Sequence, residues 1–177
     1  SGGAASPAGQ GNAGATGVTA KAGGGGGAGG APTGTSNGGV GAQNDITGIN
    51  KYYAGGGGGM VWGGTNTTGQ GGQGGGGAAL QHDGGSVSSV LSTPQNGTDG
   101  LGGGGGGTSF YATGWTGRTA TYPSGDGGDG VVILRMPTSV TLTQTTGNLT
   151  VPTPVAISGT NDHYYEFVGG GTSGTLQ

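Results

Sequence analysis

The sequence predicts an all-β and irregular fold: a glycine-rich bundle of polyglycine II type, then a small β-sheet segment, with essentially no α-helix. Three observations predict it. Glycine supplies 54 of the 177 residues, about four times its usual share. Residues with side chains no larger than a methyl group recur at every third position, in patches. The last quarter of the chain turns instead to short runs of β-branched and aromatic residues with twofold alternation.

Only 28% of residues are apolar and 6% charged, so burial of side chains is a weak driving force. Glycine adds nothing to a core and loses the most backbone entropy on ordering. Such a tract orders only if the backbone itself packs and bonds repeatedly. A period of three is that of the polyproline II helix, which has no internal hydrogen bonds. In the first patch Gly2, Ala5, Ala8, Gly11, Gly14, Gly17, Ala20, Gly23, Gly26 and Gly29 keep this period. A second patch runs Gly63, Asn66, Gly69, Gly72, Gly75, Ala78, and a third Gly97, Gly100, Gly103, Gly106. A bare edge lets a neighbouring helix approach and pair N–H with C=O, which buried backbone groups strongly favour. The runs Gly23–Gly27, Gly55–Gly59, Gly74–Gly77 and Gly102–Gly107 are bare on every edge and suit positions inside a bundle. The alternative for such tracts is a flexible linker. Tyr52, Tyr53, Met60, Val61, Trp62, Leu80, Phe110 and Tyr111 interrupt the runs and argue against it. Collagen is excluded by 7 prolines in 177 residues and by the changing phase of the triplets.

The elements after the glycine runs follow in order. Val131–Met136 reads as a buried strand stopped by Pro137, which places a boundary between a domain 1–137 and a β-rich segment 138–177. Residues 139–151 alternate, with Val140 and Leu142 facing one way and Thr141 and Thr143 the other, and Leu149 and Val151 continuing a second strand. Thr145 to Asn148 has turn chemistry between them. Val155 and Ile157 suit a third strand. His163–Val168 suits a fourth, with Tyr165 and Phe167 on one face. The one helix candidate, Val87–Leu91, is serine-rich and too short. The chain opens in mid-pattern at Ser1-Gly2-Gly3, without an initiator Met or signal-peptide pattern, and reads as a piece of a longer polypeptide.

Composition narrows function. Net charge is −3, and the four basic residues (Lys21, Lys51, Arg118, Arg135) are scattered, so no basic stripe exists for nucleic acid. The longest apolar run is Val131–Leu134, far short of membrane insertion. Cysteine is absent, which removes disulfides and thiolate metal sites. The many Gly-x-Gly-x-x-Gly matches lack the strand before and helix after that a dinucleotide site requires. Ser124 to Gly130 hints at a calcium-binding repeat, but the ligand frame falls on Val132, and Asp126 and Asp129 read as turn residues. His82 and His163 have no metal-ligand spacing, and His82-Asp83 reads as a polar loop. The carboxylates Asp45, Asp83, Asp99, Asp126, Asp129, Asp162 and Glu166 form no evident acid–base pair. The expectation is a non-enzymatic chain with no catalytic residues, no metal and no cofactor.

The aromatic residues are the candidate contacts. Tyr52, Tyr53, Trp62, Phe110, Tyr111, Trp115 and Tyr122 all lie beside glycine runs, where a bundle has its loops. Exposed loop aromatics make good contacts for saccharides and protein surfaces. They could equally cap the ends of a bundle that has little other core. Trp115 and Tyr122 are favoured as contacts, because residues 108–124 are the longest glycine-poor insertion.

The succession "YYAGGGGG", "GQGGQGGGG", "NGTDGLGGGGGG" and "GGDGVVILRM" resembles the glycine-rich domain of phage tail-fibre and other virion fibre proteins. There, alternating glycine runs end in a strand of the type Gly-Gly-x-Gly-Val-Val-Ile-x-Arg; here that strand is Gly127 to Met136. The resemblance covers roughly residues 1–136, and "HYYEFVGGGTSGTLQ" looks like the opening of a following module. The architecture is similar in kind to T-even-type tail-fibre adhesins, in which a polyglycine II sandwich displays loops to a bacterial receptor. The resemblance implies a scaffold and host-receptor-binding adhesin on the virion surface. Its implied partners are copies of itself in a homotrimer or fibre, other virion fibre proteins, and a bacterial polysaccharide or outer-membrane protein. Two rivals remain. One is a self-assembling structural filament subunit. The other is an ice-binding glycine-rich protein resembling those of cold-adapted arthropods, which requires a flat, regular Thr or Ala face that the broken triplet register does not provide.

Overall fold

A computed structural model describes residues 3–4, 9–62, 68–82, 90–108, 122–143 and 150–169. Among these residues there is no helix, and none therefore crosses a membrane as one. Most of the described residues up to 130 run as extended segments without strand pairing, and the short strands among them lie at the segment ends.

The segment 54–60 shows how the body is built. Ala22, Gly25 and Ala28 donate to its carbonyls at Met60, Gly57 and Ala54, at 2.8, 2.9 and 2.9 Å. Donors ascend in threes while acceptors descend in threes, so segment 22–28 runs antiparallel. Gly104 and Gly107 donate to Gly55 and Gly58, both at 2.9 Å, and this segment runs parallel. Outward, Gly55 and Gly58 donate to Gly74 and Gly77 at 2.9 Å. Gly56 and Gly59 donate to Gly39 and Ser36 at 2.9 and 2.7 Å. Successive residues thus address different neighbours, and each neighbour is met again three residues on.

The same step recurs outside the centre. Gly38 and Gly41 donate to Gln70 and Gln73; Gln95 and Thr98 to Ala78 and Gly75; Gly125 and Gly128 to Gly106 and Gly103. Where an outer edge lacks a backbone partner, an Asx side chain supplies the acceptor, again three residues apart. The Asp126 and Asp129 amides donate to Asn96 Oδ1 at 2.9 Å and Asp99 Oδ1 at 3.0 Å. These aspartates therefore lie in an extended edge segment and are not turn residues, a correction to the sequence reading.

Glycine is required here by close approach. A Cβ on Gly24, Gly58 or Gly72 would overlap the carbonyl oxygen of Asn37, Gly69 or Gly39 respectively, each nearer than 3.0 Å. Fixing each residue costs ~1–2 kcal/mol of backbone entropy. Each net hydrogen bond returns only ~0.5–1.5 kcal/mol, and a buried orphan costs ~1–3 kcal/mol. Such a body holds only where nearly all its interior donors are paired.

The segments end in two groups. At one end, which we call the loop end, β3 (Val61–Trp62), β4 (Gln81–His82) and β5 (Val90–Ser92) make a three-stranded sheet, parallel then antiparallel. His82 is therefore part of a strand and not of a polar loop. Val61, Ala79 and Leu80 form a small buried core beside it. At the other end β1 (Ala42–Asn44) and β2 (Lys51–Tyr53) form an antiparallel hairpin.

Adjoining the hairpin is the C-terminal sheet, in the order β6 (Val131–Pro137), β8 (Asp162–Val168), β7 (Val155–Ala156), all antiparallel. The closing strand, the third strand and the fourth fall where the sequence placed them, but the closing strand is not buried as expected: Val132 and Leu134 are exposed, because β6 is an edge strand of the sheet. Pairing runs from Val131↔Val168 to Pro137↔Asp162 and sets His163, Tyr165 and Phe167 on one face. The alternation read over 139–151 is not realised in its described residues: 140–143 and 150–151 form no strand. β8 already has β6 along one edge and β7 on the other. Residues 140–143 cross the face instead, where the Leu142 amide donates to the buried Tyr165 hydroxyl at 3.1 Å. The predicted turn at 145–148 lies outside the described residues.

Candidate functional site

The structure separates the candidate aromatics. Tyr52 and Tyr53 lie on β2, at the end of segment 54–60 that adjoins the C-terminal sheet. Trp62 lies on β3 at the loop end. Tyr122 begins segment 122–130, which runs antiparallel to 102–107 and so also starts at the loop end. Phe110, Tyr111 and Trp115 lie outside the described residues.

Tyr53 sits at a joint. It shares a hairpin face with Lys51, whose Nζ stands 5.6 Å from the Tyr53 ring centroid. Burial, then the negative charge of Glu166 and the neighbouring Tyr164, push the Tyr53 phenol above its ordinary value of 10.0. The Thr47 side chain is near enough to oppose part of that shift, yet the buried hydroxyl has no partner in hydrogen-bond geometry. Glu166 and Tyr164 belong to β8, so this phenol lies between the hairpin and the C-terminal sheet. Ile157 packs over Gly48, and Val168 over Gly100, at the same joint.

The loop end offers a different surface. Trp62 is half-buried, with its amide bonded to the Ala20 carbonyl at 2.8 Å. Tyr122 is half-buried, and its carbonyl accepts the Thr108 hydroxyl at 2.7 Å. Residue pairs 62 and 68, 82 and 90, and 108 and 122 all lie at this end. Each pair flanks a stretch that carries larger or polar side chains among its glycines.

Beside them is a polar groove of about 400 Å³ lined by Lys21, Ser36, Asn37, Val61, Thr68 and Gln70. Thr68 bonds to the Gln81 side chain, Asn37 Oδ1 accepts the Gln70 amide at 3.1 Å, and the buried Ser36 hydroxyl has no partner. The sequence reading named Lys21 only as a scattered base and Val61 as an interruption of the glycine runs, and it passed over Ser36, Asn37, Thr68 and Gln70. Only the neighbour relations of the segments bring them together.

No cluster of three or more metal-ligating side chains occurs among the described residues. His163 is buried on β8 with its Nε2 unpartnered and its ring edge-on to Tyr165, 5.1 Å between centroids. Arg135 pairs with Asp162 through Nε and Nη2, both at 2.9 Å, across β6 and β8. No family model, curated protein or solved structure matches the chain.

Proposed function

We propose that this chain is a non-enzymatic segment of a virion fibre of the phage tail-fibre kind. In this reading its body is a polyglycine II-like lattice, and its loop end contacts a bacterial surface receptor. The step of three in the backbone bonds supports the lattice. At ~3.1 Å rise per residue, segment 54–60 holds the two ends about 20 Å apart. The observation that carries the function is segregation: the interior is backbone and glycine, whereas Trp62, Tyr122 and the polar groove gather at one end. A body fixed by backbone bonds lets loop sequence vary without disturbing the fold. Trp62, Trp115 and Tyr122 are the contacts in this reading, and Tyr52 and Tyr53 serve the joint.

The test is binding of the purified, labelled chain to a panel of bacterial cells and surface polysaccharides, with mass by light scattering on the same sample. Saturable binding to some strains, weakened by Trp115→Ala or Tyr122→Ala, supports the adhesin. Absence of binding across the panel by a folded chain counts against it. The C-terminal sheet favours a second reading, a self-assembling filament subunit. The outer edge of β6 has no partner among the described residues, Val132 and Leu134 are exposed on that strand, and Val155 and Val168 are exposed elsewhere on the sheet. Concentration-dependent polymers without receptor binding would favour that reading.

A further inference from the structure

The lattice around segment 54–60 is open along one side. A groove of about 570 Å³ runs along this segment, between segment 22–28 on one side and 102–108 on the other. The amides of Ala54, Gly57 and Met60 form one edge of the segment, spaced by three. Ala54 donates to the Leu101 carbonyl at 2.7 Å. Gly57 and Met60 donate to nothing among the described residues, and both line the groove.

The walls next to those two amides are bare. A Cβ on Gly25 would stand 3.5 Å from the Gly57 nitrogen, and one on Gly104 2.9 Å from it; one on Gly107 would stand 3.6 Å from the Met60 nitrogen. Elsewhere in the body the corresponding positions face a neighbouring carbonyl, as at Gly56, Gly58 and Gly72. The groove therefore presents donors in register between bare glycine walls.

We propose that this groove takes an extended glycine- and proline-rich segment of a partner chain, in the conformation with three residues per turn. Only that conformation repeats a carbonyl at the spacing of Gly57 and Met60, roughly 9 Å for three residues of 3.1 Å rise. Small residues at every third position of the occupant would let it lie against Gly25, Gly104 and Gly107 as closely as the existing segments lie against one another. Among the described residues the groove has no aromatic lining, unlike a typical saccharide platform. The described glycine runs of this chain are already engaged in the body, and a partner chain is the occupant proposed. The inference rests on the lattice reading and is independent of the receptor assignment.

The experiment titrates a labelled peptide of four Gly-Gly-Pro repeats against the ¹⁵N-labelled full chain. The expected result is saturable binding, with the Gly57 and Met60 amide protons moving downfield and becoming protected from exchange. Gly25→Val fills the groove at a position with room for a Cβ and should weaken binding about tenfold or more. Gly127→Val, where a Cβ meets nothing nearer than 3.7 Å outside the groove, should leave it unchanged. The proposal is overturned by absence of saturation, by binding that Gly25→Val does not weaken, or by shifts confined to other amides. A chain that dimerises without peptide, and becomes monomeric on Gly25→Val, would assign the groove to a second copy and overturn the partner assignment. Exchange protection of the Gly55, Gly56, Gly58 and Gly59 amides in the free chain, measured on the same sample, separates failure of the groove from failure of the lattice.

Discussion

Gly72→Ala is the sharpest perturbation of the glycine body. A Cβ there would overlap the Gly39 carbonyl oxygen and press to 3.1 Å on the Gly56 nitrogen. Both obstacles are backbone, so neither can swing aside as a side chain would. Relief requires segment 68–73 to move away from its neighbours, which breaks Gly72 to Gly56 at 2.7 Å, Gly38 to Gln70 at 2.8 Å and Gly41 to Gln73 at 2.7 Å. At ~0.5–1.5 kcal/mol net for each bond, the loss is about 2–4 kcal/mol, a large part of the ~5–15 kcal/mol typical of a domain. Gly127→Ala is the matched control, since its Cβ would meet nothing nearer than 3.7 Å. There, reduced freedom of the unfolded chain should leave stability unchanged or raise it by ~0.4–1 kcal/mol. Urea titration followed by tryptophan fluorescence measures both. Equal stabilities for the two variants would refute the close-packing argument.

Three further outcomes are expected. Leu80→Ala removes a fully buried side chain of the small loop-end core and should cost ~2–5 kcal/mol in the same titration. Tyr53, whose phenol is held above 10.0 by burial and Glu166, should make the chain lose stability as pH rises above 10.0, because the unfolded phenol releases its proton first. That loss should shrink in Tyr53→Phe, and in part in Glu166→Gln, when thermal melts are compared between neutral pH and pH above 10. Tyr165→Phe deletes the acceptor of the Leu142 amide and should cost about 1 kcal/mol, with faster exchange of that amide by NMR.

What the sequence made legible follows from where information sits in such a chain. The period of three was visible because Gly14, Gly17, Gly23 and Gly26 must be small to admit neighbours. The strand ending at Pro137 was visible because Val131–Met136 is a continuous run of strand-forming residues. Which segment lies beside which was not legible. The bonds from Gly56 to Gly39 and from Gly104 to Gly55 are between backbones, and glycine runs look alike on every edge. The hairpin β1–β2 escaped notice because Ala42–Asn44 is short, exposed and weakly strand-forming. The alternation at 139–143 misled because a twofold pattern says nothing of whether a sheet edge is free. Among the candidate contacts, the aromatics were visible one by one. Their division between the joint and the loop end depends on the direction of each segment, which no local pattern encodes.

Amide hydrogen exchange along residues 54–60 tests the lattice most directly. The account predicts slow exchange at Ala54, Gly55, Gly56, Gly58 and Gly59, whose amides are all bonded, and fast exchange at Gly57 and Met60, whose amides have no acceptor among the described residues. Uniformly fast exchange across the seven positions would show a solvated glycine linker and contradict the account.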